Sequence, residues 1–185
     1  MGACLLAAVL CMGLTTPASA EAGQLLSCDD LTSFWVDGVP GAKLEIDAST
    51  KKEGAGAVKL AVPGGLTEWS IFAYLPEFSY TDAKYILFDI YLSDPECLNN
   101  AWYGHLELAS GPDEIPSEMQ KWDFLLGCST NPERIGFVKG WNTVCMPLEE
   151  PDQKARSCDP TKLRRLKLYA GNYNEALKGD FTVII

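Results

Sequence analysis

The stretch KYILFDIYL, residues 84–92, carries the clearest structural signal in the chain. Apolar side chains occupy every second position: Ile86, Phe88, Ile90 and Leu92. The positions between them carry Tyr85, Leu87, Asp89 and Tyr91. Because successive side chains of a β-strand point to opposite faces of a sheet, this period of two predicts a strand with one buried face.

Further stretches alternate in the same way along the whole chain. They cover residues 42–47, 56–63, 68–75, 101–109, 121–126, 141–148, 163–170 and 180–185. Turn-forming segments such as VPGG (62–65) and SDPE (93–96) separate them, and apolar spacing of three and four is not sustained anywhere. Many short strands with such turns are typical of an all-β antiparallel sandwich, so we predict a jelly roll of about nine strands. The longest loops are predicted at 110–119 and 149–161, at the rim of the sandwich.

The N-terminus has the pattern of a secretory signal peptide. Residues 1–20 contain no charge, hold an apolar run from Ala3 to Leu14 and end in Ala18-Ser19-Ala20. This run is shorter than the roughly 20 residues of a membrane span. We therefore predict a cleaved signal at 1–20, a single β-sandwich domain at 21–185 and a secreted, extracellular location without a membrane span. Because the chain stops within an apolar strand at Ile185, we expect a domain truncated at its C-terminus or part of a larger secreted protein.

Composition excludes one class of partner. The chain has 185 residues, a formal net charge of −10 and a pI near 4.5, with 47% hydrophobic and 22% charged residues. Such a chain can bury a core, but its acidic surface repels phosphate backbones and offers no strong basic patch. We therefore predict no nucleic-acid partner.

The cysteines predict disulfides rather than metal binding. Removal of the signal leaves Cys28, Cys97, Cys128, Cys145 and Cys158. An oxidising compartment predicts two disulfides and one remaining thiol among them, with the pairing left open. They show neither CxxC spacing nor companion histidines, so they do not predict a zinc site.

The chain has one histidine, His105, which raises the question of a Cys–His nucleophile pair with Cys145. In WNTVCMPL, the apolar positions Val144 and Met146 face the predicted core and Cys145 faces outward. A catalytic thiol needs a helix N-terminus or a positive neighbour to lower its pKa, and a strand interior supplies no helix end. We predict no catalytic residue here and a non-enzymatic protein.

Five segments together resemble a known family. They are SCDDLTSF (27–34), ASTKKEGAGAVKLAV (48–62), FSYTDAKYILFDIYL (78–92), KGWNTVCMPL (139–148) and LRRLKLYAGNYNEALKGDFTVII (163–185). In this order they resemble the carbohydrate-binding-module-like branch of the galactose-binding-like β-sandwiches, which often accompany secreted glycosidases and lyases. The resemblance implies a jelly roll that binds a poly- or oligosaccharide.

A sugar-binding face has a recognisable composition. Sugar rings stack their C–H faces on aromatic side chains, and their hydroxyls need directional polar partners. The outward positions of three predicted strands combine these residue types: Asp89, Tyr91, Tyr103, His105, Glu107, Lys167 and Tyr169. We predict that they form one ligand-binding face, which Trp69 and Trp122 would extend if they were not in the core. A solvated sheet face that binds nothing alternates in the same way, so the pattern also allows that interpretation.

The resemblance further implies a structural calcium ion near the junction of the first and last strands. Calcium takes six to eight oxygen ligands, and Asp29, Asp30 and Glu53 lie in the segments that would supply them. The family's usual aspartate after the final strand is absent, since the chain ends at Ile185.

Two other classes of function remain open from the sequence. A jelly-roll glycoside hydrolase or lyase needs two carboxylates about 5–9.5 Å apart, which Asp89 and Glu107 would supply if their strands were neighbours. A protein-binding adhesive or structural sandwich would instead present a flat apolar patch.

Overall fold

The computed structural model describes residues 24–99, 101, 103–110, 121–127, 136–155, 157–172, 176 and 179–185. These residues form strands and one short helix. In chain order the elements are β1 (Phe34–Trp35), β2 (Lys43–Asp47), β3 (Ala57–Val62), β4 (Glu68–Phe78), β5 (Tyr85–Leu92), α1 (Glu96–Asn99), β6 (Tyr103–Ser110), β7 (Lys121–Gly127), β8 (Gly140–Pro147), β9 (Gln153–Lys154), β10 (Leu163–Gly171) and β11 (Phe181–Ile184).

The strands form two antiparallel sheets. The front sheet has the order β1-β4-β10-β6-β7-β9, and the back sheet has the order β2-β3-β11-β5-β8. The predicted all-β sandwich is confirmed, and each of the nine predicted stretches contains an observed strand. The two strands that were not predicted, β1 and β9, have two residues each and are too short to show alternation.

The core lies between the two sheets and consists of the inward positions of both. Ile90 and Leu92 of β5 and Leu106 and Leu108 of β6 are at most 1% exposed. Burying an aliphatic side chain of this size contributes about 1.5–3 kcal/mol. Trp69 is also fully buried, and its Nε1–H donates to the Cys97 carbonyl at 3.2 Å. With Trp122 it belongs to the core, as its apolar bulk indicated.

The apolar C-terminal residues occupy a central position in the back sheet. β11 lies between β3 and β5, and Ile185 exchanges both backbone hydrogen bonds with Val58 at 2.9 and 3.0 Å. A strand with neighbours on both sides and a core face needs apolar side chains, which accounts for the sequence FTVII.

The disulfide prediction is not met among the cysteines that the structure describes. Cys28, Cys97, Cys145 and Cys158 are all free thiols, and Cys128 lies outside the described residues. Burial raises the pKa of Cys97 to about 12 and that of Cys28 to about 11, so both behave as packed apolar groups. Cys145 is an exposed residue of the back sheet, whereas His105 is a buried residue of the front sheet, so they form no catalytic pair.

The predicted signal peptide at residues 1–20 and most of the predicted loop at 110–119 lie outside the described residues. In the part of the chain that the structure describes, no helix has the length and apolar character needed to cross a membrane.

Candidate functional site

The outward-pointing side of the front sheet, called here the front face, carries a row of side chains in register across all six strands. The row runs Trp35, Phe72, Lys167, Glu107, Asp123 and Gln153. Directly opposed side chains on antiparallel strands lie close enough to interact, so the row forms a continuous strip across the sheet. Its β1 and β4 end is aromatic, and its β6 and β7 end is ionic.

The aromatic end consists of Trp35, Phe72 and Tyr74, called here the aromatic platform. The Trp35 ring stacks on Phe72 with centroids 5.2 Å apart and lies 4.4 Å from the Tyr74 ring. Tyr74 is 46% exposed, and the Lys167 ammonium lies 5.2 Å from the Phe72 ring centroid. Trp35 and Phe72 are half-buried, so the platform is a partly accessible apolar surface with a cation at its border.

The platform was missed in the sequence, although a signal for it was present. In EWSIFAYL, residues 68–75, Trp69 and Ile71 mark the core face, which leaves Phe72 and Tyr74 pointing outward. Two outward aromatic residues on one strand were a signal for an aromatic patch on the outer side of this sheet. Trp35 had no such signal, because its strand has only two residues.

The ionic end is a buried cluster of His105, Glu107 and Asp123, called here the acid–histidine cluster. These residues are 3%, 1% and 0% exposed, so the prediction that His105 and Glu107 belong to an exposed face is wrong. The His105 Nε2 atom lies 3.7 Å from Glu107 Oε2 and 4.0 Å from Asp123 Oδ1. Both distances are too long for hydrogen bonds.

Lys121 balances part of the negative charge of this cluster. Its Nζ lies 3.1 Å from Asp123 Oδ2 and 3.5 Å from Glu107 Oε2. Burial works against the charge on Lys121, but the two carboxylates outweigh it and raise the lysine pKa. Burial likewise opposes ionisation of Glu107, but His105 and the nearby lysines outweigh it and lower the Glu107 pKa. The cluster therefore holds charged groups in a dry environment.

Two tyrosines flank His105 on the front face. The Tyr103 ring centroid lies 4.6 Å and the Tyr169 centroid 5.1 Å from the imidazole. The Tyr103 hydroxyl donates to Asp123 Oδ2 at 3.1 Å, and burial together with the charge of Asp123 raises the Tyr103 pKa. The Tyr169 hydroxyl donates to Glu68 Oε2 at 2.7 Å.

Gly171 determines how Tyr169 lies on the sheet. A Cβ atom added at Gly171 would overlap the Tyr169 hydroxyl and the adjoining ring carbon. The tyrosine ring can therefore lie along its own strand over Gly171 and reach Glu68, the cross-strand partner of Gly171. A side chain at position 171 would push the ring away from the sheet.

The seven predicted binding residues do not share one face. Tyr103, His105, Glu107, Lys167 and Tyr169 lie together on β6 and β10 of the front sheet. Asp89 and Tyr91 lie on β5 of the back sheet, so the prediction of one common face is wrong for these two. The chain crosses from one sheet to the other between β5 and β6, instead of forming a hairpin. The hypothesised carboxylate pair of Asp89 and Glu107 is wrong for the same reason.

Asp89 belongs instead to a small exposed cluster, called here the back cluster, with Lys52 and Thr143. The Lys52 Nζ donates to Asp89 Oδ1 at 2.8 Å, and the Thr143 hydroxyl donates to the same oxygen. The Tyr91 ring packs edge-on against Trp141 with centroids 5.7 Å apart. These side chains form hydrogen bonds and ring contacts with one another on the outer side of the back sheet.

Asp29 and Asp30, two of the residues proposed for calcium, accept hydrogen bonds from backbone N–H groups. Asp29 Oδ1 accepts hydrogen bonds from the N–H groups of Ala55 and Gly56 at 2.6 and 3.0 Å. Asp30 Oδ1 accepts one from the N–H of Thr32 at 2.8 Å. An ionised carboxylate offers about four acceptor sites on two oxygens, so these hydrogen bonds neither support nor exclude the predicted calcium site. Calcium binding, including any role of Glu53, remains a prediction based on the resemblance.

Comparisons with known proteins establish the class of fold. The chain matches no protein-family model and no curated protein sequence. It is similar in structure to the family 11 carbohydrate-binding module of a cellulosomal cellulase from Clostridium thermocellum, with a TM-score of 0.53 and 16% identity over 90% of this chain and 94% of that chain.

Two further solved structures support the same class. A family 11 module from Clostridium thermocellum in complex with a β-1,3-1,4-mixed-linked tetrasaccharide has a TM-score of 0.53 and 16% identity over 86% of this chain and 92% of that chain. A family 30 carbohydrate-binding module has a TM-score of 0.51 and 16% identity over 80% of this chain and 82% of that chain. The predicted carbohydrate-binding-module-like β-sandwich fold is thereby confirmed.

Proposed function

We propose that this protein is a non-catalytic carbohydrate-binding domain and that its ligand lies on the front face. The observation that carries the proposal is the partly accessible platform of Trp35, Phe72 and Tyr74, which continues in register into polar side chains. The likeness of the fold to carbohydrate-binding modules supports this choice over a surface for protein.

The platform has the chemistry that a chain of sugar rings needs. Aromatic side chains bind the C–H groups of a sugar ring, and exposed Tyr74 with half-buried Trp35 and Phe72 offers aromatic surface for such contacts. Lys167 borders the platform and supplies N–H donors for hydroxyls. Tyr103, which is partly exposed at the other side of the face, supplies a second ring. An extended oligosaccharide therefore fits this surface better than a compact small molecule.

The predicted binding residues take different roles in this proposal. Lys167 and Tyr103 contact the sugar, whereas His105, Glu107 and Tyr169 are buried and hold the floor of the face in place. Asp89 and Tyr91 have no part in it, because they lie on the back sheet.

The carboxylates of the front face argue against hydrolysis. Glu107 and Asp123 are opposed on β6 and β7, but they are at most 1% exposed and pair with Lys121. A glycosidase needs one carboxyl group that donates a proton to the substrate and a second that reaches the sugar or a water molecule. Buried carboxylates that pair with a lysine meet neither requirement, which favours binding without catalysis.

The experiment is isothermal titration of the protein with mixed-linked β-glucan, cello-oligosaccharides, xylan and mannan. We expect one of these to bind, and we expect Trp35→Ala and Tyr74→Ala each to weaken binding about tenfold or more, because stacking area is lost. Tyr85→Ala is the matched control, since Tyr85 is 55% exposed on the back sheet and should not affect binding.

The outcomes separate the classes of function. No binding to any glycan by the folded protein would overturn the proposal and favour a protein-binding surface. A loss of glycan affinity in Tyr85→Ala equal to that in the platform variants would place the site on the back sheet instead. Release of reducing sugar by the wild-type protein would make it an enzyme.

We also infer that the chain is exported and that residues 1–20 are its cleaved signal. The uncharged apolar run that ends in Ala18-Ser19-Ala20 supports this. N-terminal sequencing of the protein recovered from a secreting host should begin at Glu21. Recovery of the intact N-terminus in the cell fraction would contradict the inference.

A further inference from the structure

We propose that His105, Glu107 and Asp123 form a buried binding site for a divalent transition-metal cation such as Zn²⁺. The metal site goes beyond the proposed sugar binding and does not depend on it, since its ligands are buried side chains that do not contact the sugar in that proposal. The geometry, the burial and the polar atoms left without hydrogen bonds all point to a cation at this position.

The three side chains lie close to the spacing that one shared metal ion imposes. Each offers a ligand atom, and these atoms all lie within 4.8 Å of one another. Zinc bonds to nitrogen and oxygen are about 2.0–2.2 Å long, so two ligands of one ion can be at most about 4.4 Å apart. The His105 Nε2 atom meets this limit with both partners, at 3.7 Å from Glu107 Oε2 and 4.0 Å from Asp123 Oδ1. Small side-chain rotations would complete the set.

The cluster also leaves polar atoms without hydrogen bonds in the interior. Both ring nitrogens of His105, both carboxylate oxygens of Glu107 and Asp123 Oδ1 lack a hydrogen-bond partner among the described residues. Buried polar atoms in native proteins are nearly always paired, and an exception indicates a missing ligand, water molecule or ion. A cation bonded to Nε2 and to one oxygen of each acid would satisfy three of them at once.

Lys121 contacts the cluster mainly at Asp123, and its Nζ also lies 3.5 Å from Glu107 Oε2. Its Nζ is closest to Asp123 Oδ2, the oxygen that also accepts the Tyr103 hydroxyl, which leaves Asp123 Oδ1 directed toward His105. Two carboxylates and one ammonium give the cluster a net negative charge, which a divalent cation would reverse. The lysine and a metal ion therefore compete electrostatically but not for the same oxygen of Asp123.

The ligand types select the metal. Imidazole nitrogen suits zinc, iron, nickel and copper, whereas calcium takes six to eight oxygen ligands. One imidazole and two carboxylates match the mixed nitrogen and oxygen sets of zinc sites. The site therefore differs in chemistry and in position from the calcium site that the family resemblance implies.

The test is titration of chelator-treated protein with Co²⁺ and Zn²⁺, with Mg²⁺ and Ca²⁺ for comparison. We expect one Co²⁺ per chain with visible absorption bands of low coordination number, displacement by Zn²⁺ and an increase in Tm. We expect Glu107→Gln and His105→Gln to weaken Zn²⁺ binding at least about tenfold, because each removes one ligand. Asp89→Asn is the matched control, since Asp89 also pairs with a lysine but lies on the back sheet, and its affinity should be that of the wild type.

Lys121→Met distinguishes a metal site from a merely structural ionic cluster. Removal of the competing positive charge should tighten Zn²⁺ binding about tenfold and give a larger rise in Tm with metal than the wild type shows. A structural cluster without a metal site would gain no stability from Zn²⁺ in either the wild type or Lys121→Met.

Three results would overturn the proposal. They are no visible Co²⁺ absorption with millimolar metal, unchanged Zn²⁺ affinity in both ligand variants, or a loss of Zn²⁺ affinity in Asp89→Asn equal to that in the ligand variants. If a ligand variant does not fold, anomalous scattering from wild-type crystals soaked with Zn²⁺ decides instead. A peak between His105 Nε2 and the two carboxylates supports the site, and the absence of a peak there contradicts it.

Discussion

The molecule holds an aspartate–lysine pair on each sheet, and the two pairs differ in every physical respect. In the back cluster, Asp89 is half-exposed and accepts hydrogen bonds from Lys52 and Thr143. In the front sheet, Asp123 is fully buried with Glu107, and their shared lysine is mostly buried too. An exposed ion pair is worth little, whereas an acidic pair in a dry interior depends strongly on its cation. The front sheet should therefore depend more on its buried ionic contacts for stability than the back sheet depends on its exposed ion pair.

The largest effect should come from Lys121→Met. It leaves Glu107 and Asp123 buried without their cation, and breaking a buried ionic contact in this way costs about 3–5 kcal/mol. Urea unfolding of the metal-free protein should show this loss in the free energy of unfolding. A loss below about 1 kcal/mol would mean that water reaches the cluster and that the contrast between the two sheets is false.

Gly171→Ala tests how tightly the front face is packed. The added Cβ overlaps the Tyr169 hydroxyl, so the ring must leave Glu68, and we expect a loss of about 1–3 kcal/mol in the free energy of unfolding. Gly136→Ala is the matched control, because a Cβ at Gly136 meets no atom within 4 Å and its φ is not positive. Equal stability of the two variants would contradict the described position of Tyr169.

Lowering the pH should test the same contrast between the two sheets, because Glu107 is one of the buried carboxylates of the front sheet. Its pKa in the folded protein lies below the ordinary value of 4.5, so the folded state binds protons less readily than the unfolded state. The stability from this group is fully present above pH 4.5 and is lost as the pH falls through the lower folded pKa. Glu107→Gln should therefore flatten the acid dependence of Tm below about pH 4.5. If the pH dependence of Tm is the same in Glu107→Gln as in the wild type, the contacts of the Glu107 carboxylate do not stabilise the folded protein.

Lys52→Met should have the smallest effect. Its ammonium is 40% exposed and pairs with Asp89, so removing it should cost no more than about 1 kcal/mol in the free energy of unfolding. Compared with Lys121→Met in the same assay, this variant isolates burial as the cause of the difference. A loss in the free energy of unfolding as large as that of Lys121→Met would show that burial does not set the two clusters apart.

Alternation made the strands predictable but not their partners. KYILFDIYL identified β5 and its inward Ile86, Ile90 and Leu92 correctly, since period two follows from local geometry alone. The sequence did not show that the chain changes sheets after β5, because that choice depends on contacts far along the chain. Asp89 and Tyr91 were therefore grouped with residues of the opposite sheet.

The sequence also did not show that polar side chains on the outward side of the front sheet are buried. His105 and Glu107 alternate with Leu106 and Leu108 as residues of a solvated face do, yet both are buried. Asp123 was not singled out, although KWDFLL places it between two core aromatic residues and therefore outward. Only the register of β6 with β7 brings Asp123 beside Glu107, and that pairing links residues of two separate sequence stretches.

The most direct test of the account is NMR chemical-shift mapping of the protein with a mixed-linked β-glucan tetrasaccharide and with the best ligand from the glycan panel. We predict shifts at Trp35, Phe72, Tyr74 and Lys167 that saturate with ligand, while Tyr85 and Leu87 on the back sheet remain unchanged. Shifts confined to the back sheet, or no saturable shift with any glycan, would contradict the claim that the front face binds carbohydrate.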